Sequence, residues 1–279
     1  MNTLKKYIFY IIDSLKNLFL LSNLNKKELQ GFTTSSTRFR FLPNTIVRVP
    51  YSLGRTVRGV SFDENILLDP AGRICSKISQ DINNKIIFDD LLKVFNEQKN
   101  MSAADIVHLS NNKKLKNYPA WAIVMPWEDL NIEDMFDSYP QLFFKNRNTK
   151  GLIFNDDSNE SIINIMYSNI FIQNRIDQMA DLYKSIKKHG IIKSQDLPKI
   201  KILLKNNEWR WFMGDGGNHR SFVLSCLGYD FFVARVSSII DIKDLNNWHN
   251  VKNGTYSVVE AHDIFESYFQ GARVYRGMV

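Results

Sequence analysis

Cysteine is almost missing from this chain. Cys75 and Cys226 are the only two in 279 residues; they lie far apart in sequence with no metal-ligand spacing, so neither a disulfide framework nor a zinc site is expected. An uninterrupted apolar run of membrane-spanning length is also lacking. A span needs roughly 20 predominantly apolar residues, and the best candidate, LKKYIFYIIDSLKNLFLLSNL, contains Lys5, Lys6, Asp13 and Lys16. Ser22, Asn23 and Leu24 form a poor signal-peptidase site, which speaks against a secretory leader. No internal repeat and no long low-complexity tract is visible. Together these absences turn the reading away from disulfide-knit, zinc-ribbon, solenoid and integral-membrane proteins, and a reducing cytoplasm fits what remains.

What is present is enough apolar residue, 44% of the chain, for one substantial core with or without a smaller appended domain. The formal charge of +7 favours anionic partners such as nucleotides, nucleic acid or an acidic membrane surface. A lysine- and asparagine-rich composition of genomic origin gives the same sign. Leu4, Ile8, Ile11, Ile12, Leu15, Leu18 and Phe19 recur at helical spacing, which predicts an amphipathic helix over 1–30. Residues 4–22 either dock on the protein or lie at a membrane interface as a peripheral contact.

Residues 31–159 read as an accessory region. Short strands are expected near Arg38 to Phe41 and Thr45 to Val49, broken by Pro43 and Pro50. Arg38, Arg40, Arg48, Arg55 and Arg58 either line an anion site or nucleic-acid groove or form the solvated face of edge strands. Arg55 and Arg58, three apart and followed by SFDEN, are the best candidates there for substrate contact. A helix is expected over Ile86 to Val107 and a polar boundary loop over Asn131 to Asn159, while Tyr118 to Trp127 reads either as a buried aromatic strand or as tryptophans that stack on a base or sugar.

The most informative stretch is Trp209 to Val236, WRWFMGDGGNHRSFVLSCLGYDFFVARV. It predicts a strand over Trp209 to Met213, a glycine turn at Gly214, Gly216 and Gly217, and a helix from about Asn218. The helix stops at Gly228 and a second strand follows over Phe231 to Val236. Upstream, Ile176, Met179, Ala180, Leu182, Tyr183 and Ile186 mark one helix face ending at His189-Gly190. Ile200 to Leu204 reads as a buried strand, and Asn206-Asn207 as its hairpin turn. Helix, strand, strand, glycine turn, helix, strand is the order of a mixed α/β (α+β) sheet. In the tail, Ser257 with Glu260 predicts a capping box for a C-terminal helix, after a loop holding Trp248 and His249 that either completes the pocket or packs as core.

A helix N-terminus after a tight turn presents unpaired N–H groups and a positive dipole end, which suits phosphate. Two basic side chains there, His219 and Arg220, oppose the dipole and call for an anion. Gly216, Gly217, Asn218, His219, Arg220 and Ser221 are therefore the candidate phosphate-binding residues, with Asn218 open to an ordinary N-cap role. His219 and Asp215 are the candidate catalytic residues, Asp215 also as a metal ligand, and Arg175 a second-ranked substrate contact.

The GGNHR turn, with IDQMADLYKSIKKHGII before it and GYDFFVARV after it, resembles the core of the ParB/sulfiredoxin-like superfamily over about a quarter of the chain, Ile170 to Val236. More loosely, the whole chain is similar to ParB-like proteins encoded among bacterial surface-polysaccharide genes. The resemblance implies a mixed-sheet core over 160–279 with an N-terminal extension and a C-terminal helix. It also implies a nucleoside triphosphate or diphosphate, most simply ATP, with Mg2+, and a phosphotransferase (kinase) acting on a small-molecule or glycan acceptor in the cytoplasm. The alternative is a non-catalytic nucleotide- or DNA-binding regulator. The departures matter as well. Sulfiredoxin has a cysteine where this chain has Asn218, which argues against sulfinic-acid reduction by that route. Chromosome-partitioning members carry an acidic residue before two arginines and continue into a helix-turn-helix, whereas 43 residues follow Val236. The free-serine kinase branch has an acidic–glycine–His–His–Arg motif, with the acid one residue nearer the HR pair than Asp215.

Overall fold

A computed structural model describes residues 43–56, 58–62, 66–145, 164–165, 168–190, 197–214 and 217–271. The chain divides into two compact units, Met1–Phe39 and Arg40–Val279, and every described residue belongs to the second. The expected N-terminal helix, Arg38, Arg40, Asp215 and Gly216 lie outside the described residues.

Among the described residues five strands form one mixed sheet: β1 (Ile46–Pro50), β2 (Gly54–Arg55), β3 (Lys199–Lys205), β4 (Glu208–Met213) and β5 (Phe231–Asp241), in the order β1-β5-β3-β4-β2. β1 runs antiparallel to β5, β5 parallel to β3, β3 antiparallel to β4, and β4 parallel to β2. The β3–β4 hairpin turns on Asn206 and Asn207, at φ 48° and 70°. Asparagine tolerates the left-handed angles that a two-residue turn between right-twisted strands requires. Both outer strands come from the stretch read as an accessory region, so the sheet spans the boundary expected near 160. Alternation over Ile46 to Val49 already marks β1, whereas the two residues of β2 carry no periodicity of their own and are defined by pairing with β4.

Alternation along the strands separates two cores. On one face, Val47, Val49, Ile200, Ile202, Trp211, Met213, Phe232 and Ala234 pack with the apolar faces of α1 (Pro70–Ser79), α2 (Asn84–Gln98), α6 (Asn169–His189) and α7 (Asn218–Cys226). On the other, Leu203, Phe212 and Ile240 pack with Trp127, Trp248, Phe265 and Tyr268, the last two from α9 (Val258–Gln270). The result is a sheet with helices on both faces, a mixed α+β architecture. Trp211 is fully buried, and its indole N–H donates to the Pro50 carbonyl at 2.7 Å. A cavity there, as in Trp211→Ala, would cost about 3–5 kcal/mol.

The helices start and stop where their sequences direct. The Ser168 hydroxyl caps α6 by accepting from Phe171 N–H, and Gly190 ends it at φ 68°. Ile172, Ile176, Met179, Tyr183 and Ile186 supply its buried stripe. Gly228, at φ 79°, closes α7, while Tyr229 N–H returns to Leu224 O and Gly228 N–H to Ser225 O, the paired bonds of a Schellman end. The capping box of Ser257 and Glu260 opens α9.

Three expectations fail. The expected 86–107 helix breaks after Gln98 and restarts as α3 (Ala103–Ile106), because Ser102 and Asp105 build a separate capping box. Tyr118 to Trp127 is no strand but a 3-10 turn at Ala120–Ala122 and an extended segment, shaped by its two prolines. Part of the expected boundary loop is α5 (Ile132–Lys145), which follows the one-turn α4 (Lys113–Lys116). Glu133 and Asp134 favour the positive N-terminal end of α5, and Asn131 accepts from Asp134 N–H there. The polar residues that read as loop are its capping residues and outer face. One organiser left no sequence signal: fully buried Asn250, in the one-turn α8 (His249–Lys252), turns its amide N–H2 toward the carbonyls of Met125, Glu128 and Leu130. No helix among the described residues is long and apolar enough to cross a membrane.

Candidate functional site

β4 delivers the chain to the site. Gly214 N–H donates to Lys199 O at 2.8 Å, and a Cβ on Gly214 would stand 3.0 Å from the Ser237 hydroxyl. Ser237 is the extra residue of a bulge in β5, where Ile200 pairs with Val236 and Lys201 with Ser238. Its hydroxyl donates to the Ile200 carbonyl at 2.9 Å, satisfying a group beside the break in the ladder. Gly217 then takes φ 88°, and a Cβ on it would lie 2.6 Å from Pro198 Cβ. Glycine is therefore demanded twice, by the left-handed backbone and by the close approach of the strand-β3 entry.

Gly217, rather than Asn218, is the N-cap of α7, and it has no side chain to cap the first turn. Asn218 occupies the first helical position, and its Oδ1 is sealed from solvent with no hydrogen-bond partner among the described residues. The N-cap role open to it from sequence is thus taken by its neighbour. Ser221 is fully buried, and its hydroxyl donates back to Asn218 O at 2.8 Å. That oxygen braces the first turn and is not presented to a ligand.

α6 packs beside α7 and brings Arg175 to His219: Nη1 meets Nε2 at 2.7 Å. Arginine only donates, so Nε2 accepts, and the imidazole carries its proton on Nδ1. The Arg175 guanidinium also lies over the Phe171 ring, 5.2 Å from its centroid. A ring on one side and an imidazole on the other fix a cation 44 residues upstream of the histidine it holds. Arg220 sits half-buried at the third helical position of the same turn. Arg175, read apart from the His219–Arg220 pair, is therefore brought to the same helix N-terminus.

The two arginines from the basic stretch part company. Arg58 lies in the loop after β2, and because β2 runs parallel to β4, that loop and the glycine turn leave the sheet at the same edge, where open α/β sheets bind ligands. Its charge acts on Asp69, the N-cap of α1, whose Oδ1 accepts from Ala71 N–H at 2.9 Å. Burial pushes the Asp69 carboxyl above the ordinary aspartate range, against the pull of Arg58 and of that N–H. An acid-proline pair at a helix start was the available signal for Asp69, and sequence reasoning passed over it.

Arg55, by contrast, is 5% exposed. Its Nε donates to Tyr268 O at 3.0 Å, Nη1 to Gly54 O at 2.7 Å and Nη2 to Phe269 O at 2.8 Å. It therefore does not serve as the substrate contact expected of it. It closes the C-terminal end of α9, where orphan carbonyls and the negative dipole end receive a cation. Arg48 lies over the Phe231 ring. The basic stripe is thus partly consumed in structure. Among the described residues no three His, Cys, Asp or Glu side chains group to hold a metal ion, and Asp215 is not among them.

Fold and site together define a mixed α+β protein whose glycine turn opens a helix beneath a cluster of cations. No family model, no curated protein and no solved structure matches the chain.

Proposed function

We propose that this chain is a nucleotide-binding protein of the ParB/sulfiredoxin-like kind, in which the α7 N-terminus holds the phosphates. The reaction we assign to it is phosphoryl transfer from an ATP-type nucleotide to a small-molecule or sugar-linked acceptor, in the cytoplasm and in the service of surface-polysaccharide synthesis. The observation that carries the reading is the 2.7 Å contact of Arg175 with His219 at that N-terminus. Arg175 donates to a neutral imidazole there, so the pair adds one full positive charge to the positive dipole end, and a bound anion would offset both.

Each residue then has a physical task. The N–H groups after Gly217 point at phosphate oxygens, and Arg220 supplies the charge-assisted clamp. Arg175 orients the imidazole by donating to its Nε2, which leaves the imidazole proton on Nδ1. Arg58 extends the positive field along the same sheet edge. Phosphoryl transfer demands chiefly positioning and neutralisation of charge, and these are what such a cluster provides. The part given to Mg2+ rests on Asp215.

A panel of ATP, ADP, CTP and GTP in thermal-shift and turnover assays tests the reading. Stabilisation by at least one nucleotide, with magnesium-dependent turnover that His219→Gln lowers while binding survives, supports it. Salt-sensitive DNA binding without turnover would instead favour the regulatory alternative. Indifference to every nucleotide and to DNA contradicts both.

A further inference from the structure

The sheet is covered unevenly. On the face turned away from α7, Trp127, Trp248 and α9 pack against Leu203, Phe212 and Ile240. Toward β1 the same face carries Ile46, Arg48, Phe231, Val233, Arg235 and Lys199. Alternation puts them there: Val47, Val49, Phe232, Ala234 and Ile200 fill the core on the α7 side, so their strand neighbours point the other way. Among the described residues Ile46, Phe231 and Val233 belong to neither core, and Phe231 is 37% exposed.

The register places the cations side by side. Arg235 on β5 pairs with Ile46 on β1 and with Lys199 on β3, while Arg48 pairs with Val233 one pleat away. Backbone spacing sets such positions roughly 5–8 Å apart. No ion pair holds Arg48, Arg235 or Lys199 among the described residues. Lys201, the next residue of β3 on this face, is by contrast 3.6 Å from Glu128 and lies over the Phe212 ring. The Arg48 guanidinium lies over the Phe231 ring. We propose that this face binds single-stranded nucleic acid, with Arg48, Arg235 and Lys199 on the phosphates and the stacked pair of Arg48 and Phe231 as a platform for a base.

The shape and chemistry select that partner. Charges that only guard a sheet edge belong on the edge strand, whereas Arg235 and Lys199 stand on the interior strands β5 and β3. The major groove of a duplex admits a helix or a two-stranded ribbon, and this face is three strands wide. A single strand can lie flat on it, with bases stacked on aromatic rings and guanidinium planes. An anionic membrane would meet the same charges, but interfacial binding inserts aromatic and aliphatic side chains, and the ring here is covered by a guanidinium.

The test is fluorescence anisotropy of the full-length protein with labelled oligo(dT) and oligo(U) of about 16 nucleotides, titrated between about 50 and 200 mM salt. Three phosphate contacts predict a double-logarithmic salt slope of roughly −2 for at least one of the two strands. Arg48→Ala, Arg235→Ala and Lys199→Ala should each remove about 0.7 of that slope and weaken binding about fivefold near 0.1 M salt. Asp230, whose charge acts on Arg48, opposes the ligand, so Asp230→Asn should tighten binding. Lys188→Ala, which removes the same charge from an exposed position of α6, should change nothing. Lys199 is exposed at the first position of its strand, so Lys199→Glu gives a reading even where a variant at half-buried Arg48 fails to fold. Equal weakening by Lys188→Ala, tighter binding of a duplex of the same length, or capture of anionic vesicles through these cations with neither oligonucleotide bound would each overturn the proposal. The surface does not rest on the nucleotide reading: oligonucleotide binding with this pattern by a chain indifferent to ATP would still support it.

Discussion

Two helix ends in this protein each receive arginine, and the physics at the two ends is opposite. At the C-terminal end of α9, Arg55 meets carbonyl oxygens and the negative pole, and three of its N–H groups are consumed by Gly54, Tyr268 and Phe269. Cation and helix attract each other, so the residue is explained by folding alone. At the N-terminal end of α7, Arg220 and the Arg175–His219 pair face the positive pole. The attraction between helix pole and cation that explains Arg55 is missing at this end, and the proposed anion would supply it. The comparison sets a structural arginine against one proposed to bind a ligand, by the sign of the field around each.

The largest effect expected is on the structural end. Arg55→Ala leaves buried carbonyls with no donor, and melting should register a loss of about 3 kcal/mol or more. Arg55→Lys should recover little of it, because one ammonium cannot reproduce the fork. Next in size is the turn. Gly217→Ala sets a Cβ against Pro198 at φ 88°, and about 1–3 kcal/mol of stability should go, with anion binding weakened as the turn shifts. A result near zero in denaturant melts would mean that the turn relaxes freely and that its shape is not demanded.

The smallest effect concerns Asp69 and pH. Its folded-state pKa is raised, chiefly by burial. A carboxyl that holds its proton more tightly when folded contributes most at pH below its unfolded value, near 4, and that contribution falls away as pH climbs through the raised value. Asp69→Asn keeps the oxygen that caps Ala71 and removes the titration, so the variant should gain on the parent as pH rises through this window. Asp69→Ala should lose the cap, about 1 kcal/mol, at every pH. Parallel urea midpoints from acid to neutral pH distinguish the two.

How much of this was readable beforehand follows from where each signal is stored. The α6 stripe, the Asn206-Asn207 turn, the Gly228 stop and the Ser257 capping box are local devices, and the residues that execute them adjoin one another. The gathering of Arg175 with His219 and the burial of Arg55 are products of topology. Nothing near Arg55 in the chain distinguishes it from Arg58, because the carbonyls that claim it belong to residues more than 200 positions later. The α5 helix was misread for a related reason: its N-terminal acids and asparagine look like loop until the turn they cap is recognised.

The measurement that bears most directly on the account is calorimetric titration of nucleotide into Arg220→Ala, paired with its melting curve and with that of Arg55→Ala. Loss of roughly 1.5–3 kcal/mol of binding, about one to two decades in affinity, with the Arg220→Ala melt unchanged and the Arg55→Ala melt sharply lowered, is the result predicted. Unaltered nucleotide affinity in Arg220→Ala, or a collapse of its stability to match Arg55→Ala, would show that the arginine at the α7 N-terminus is structural and that no anion site is built there.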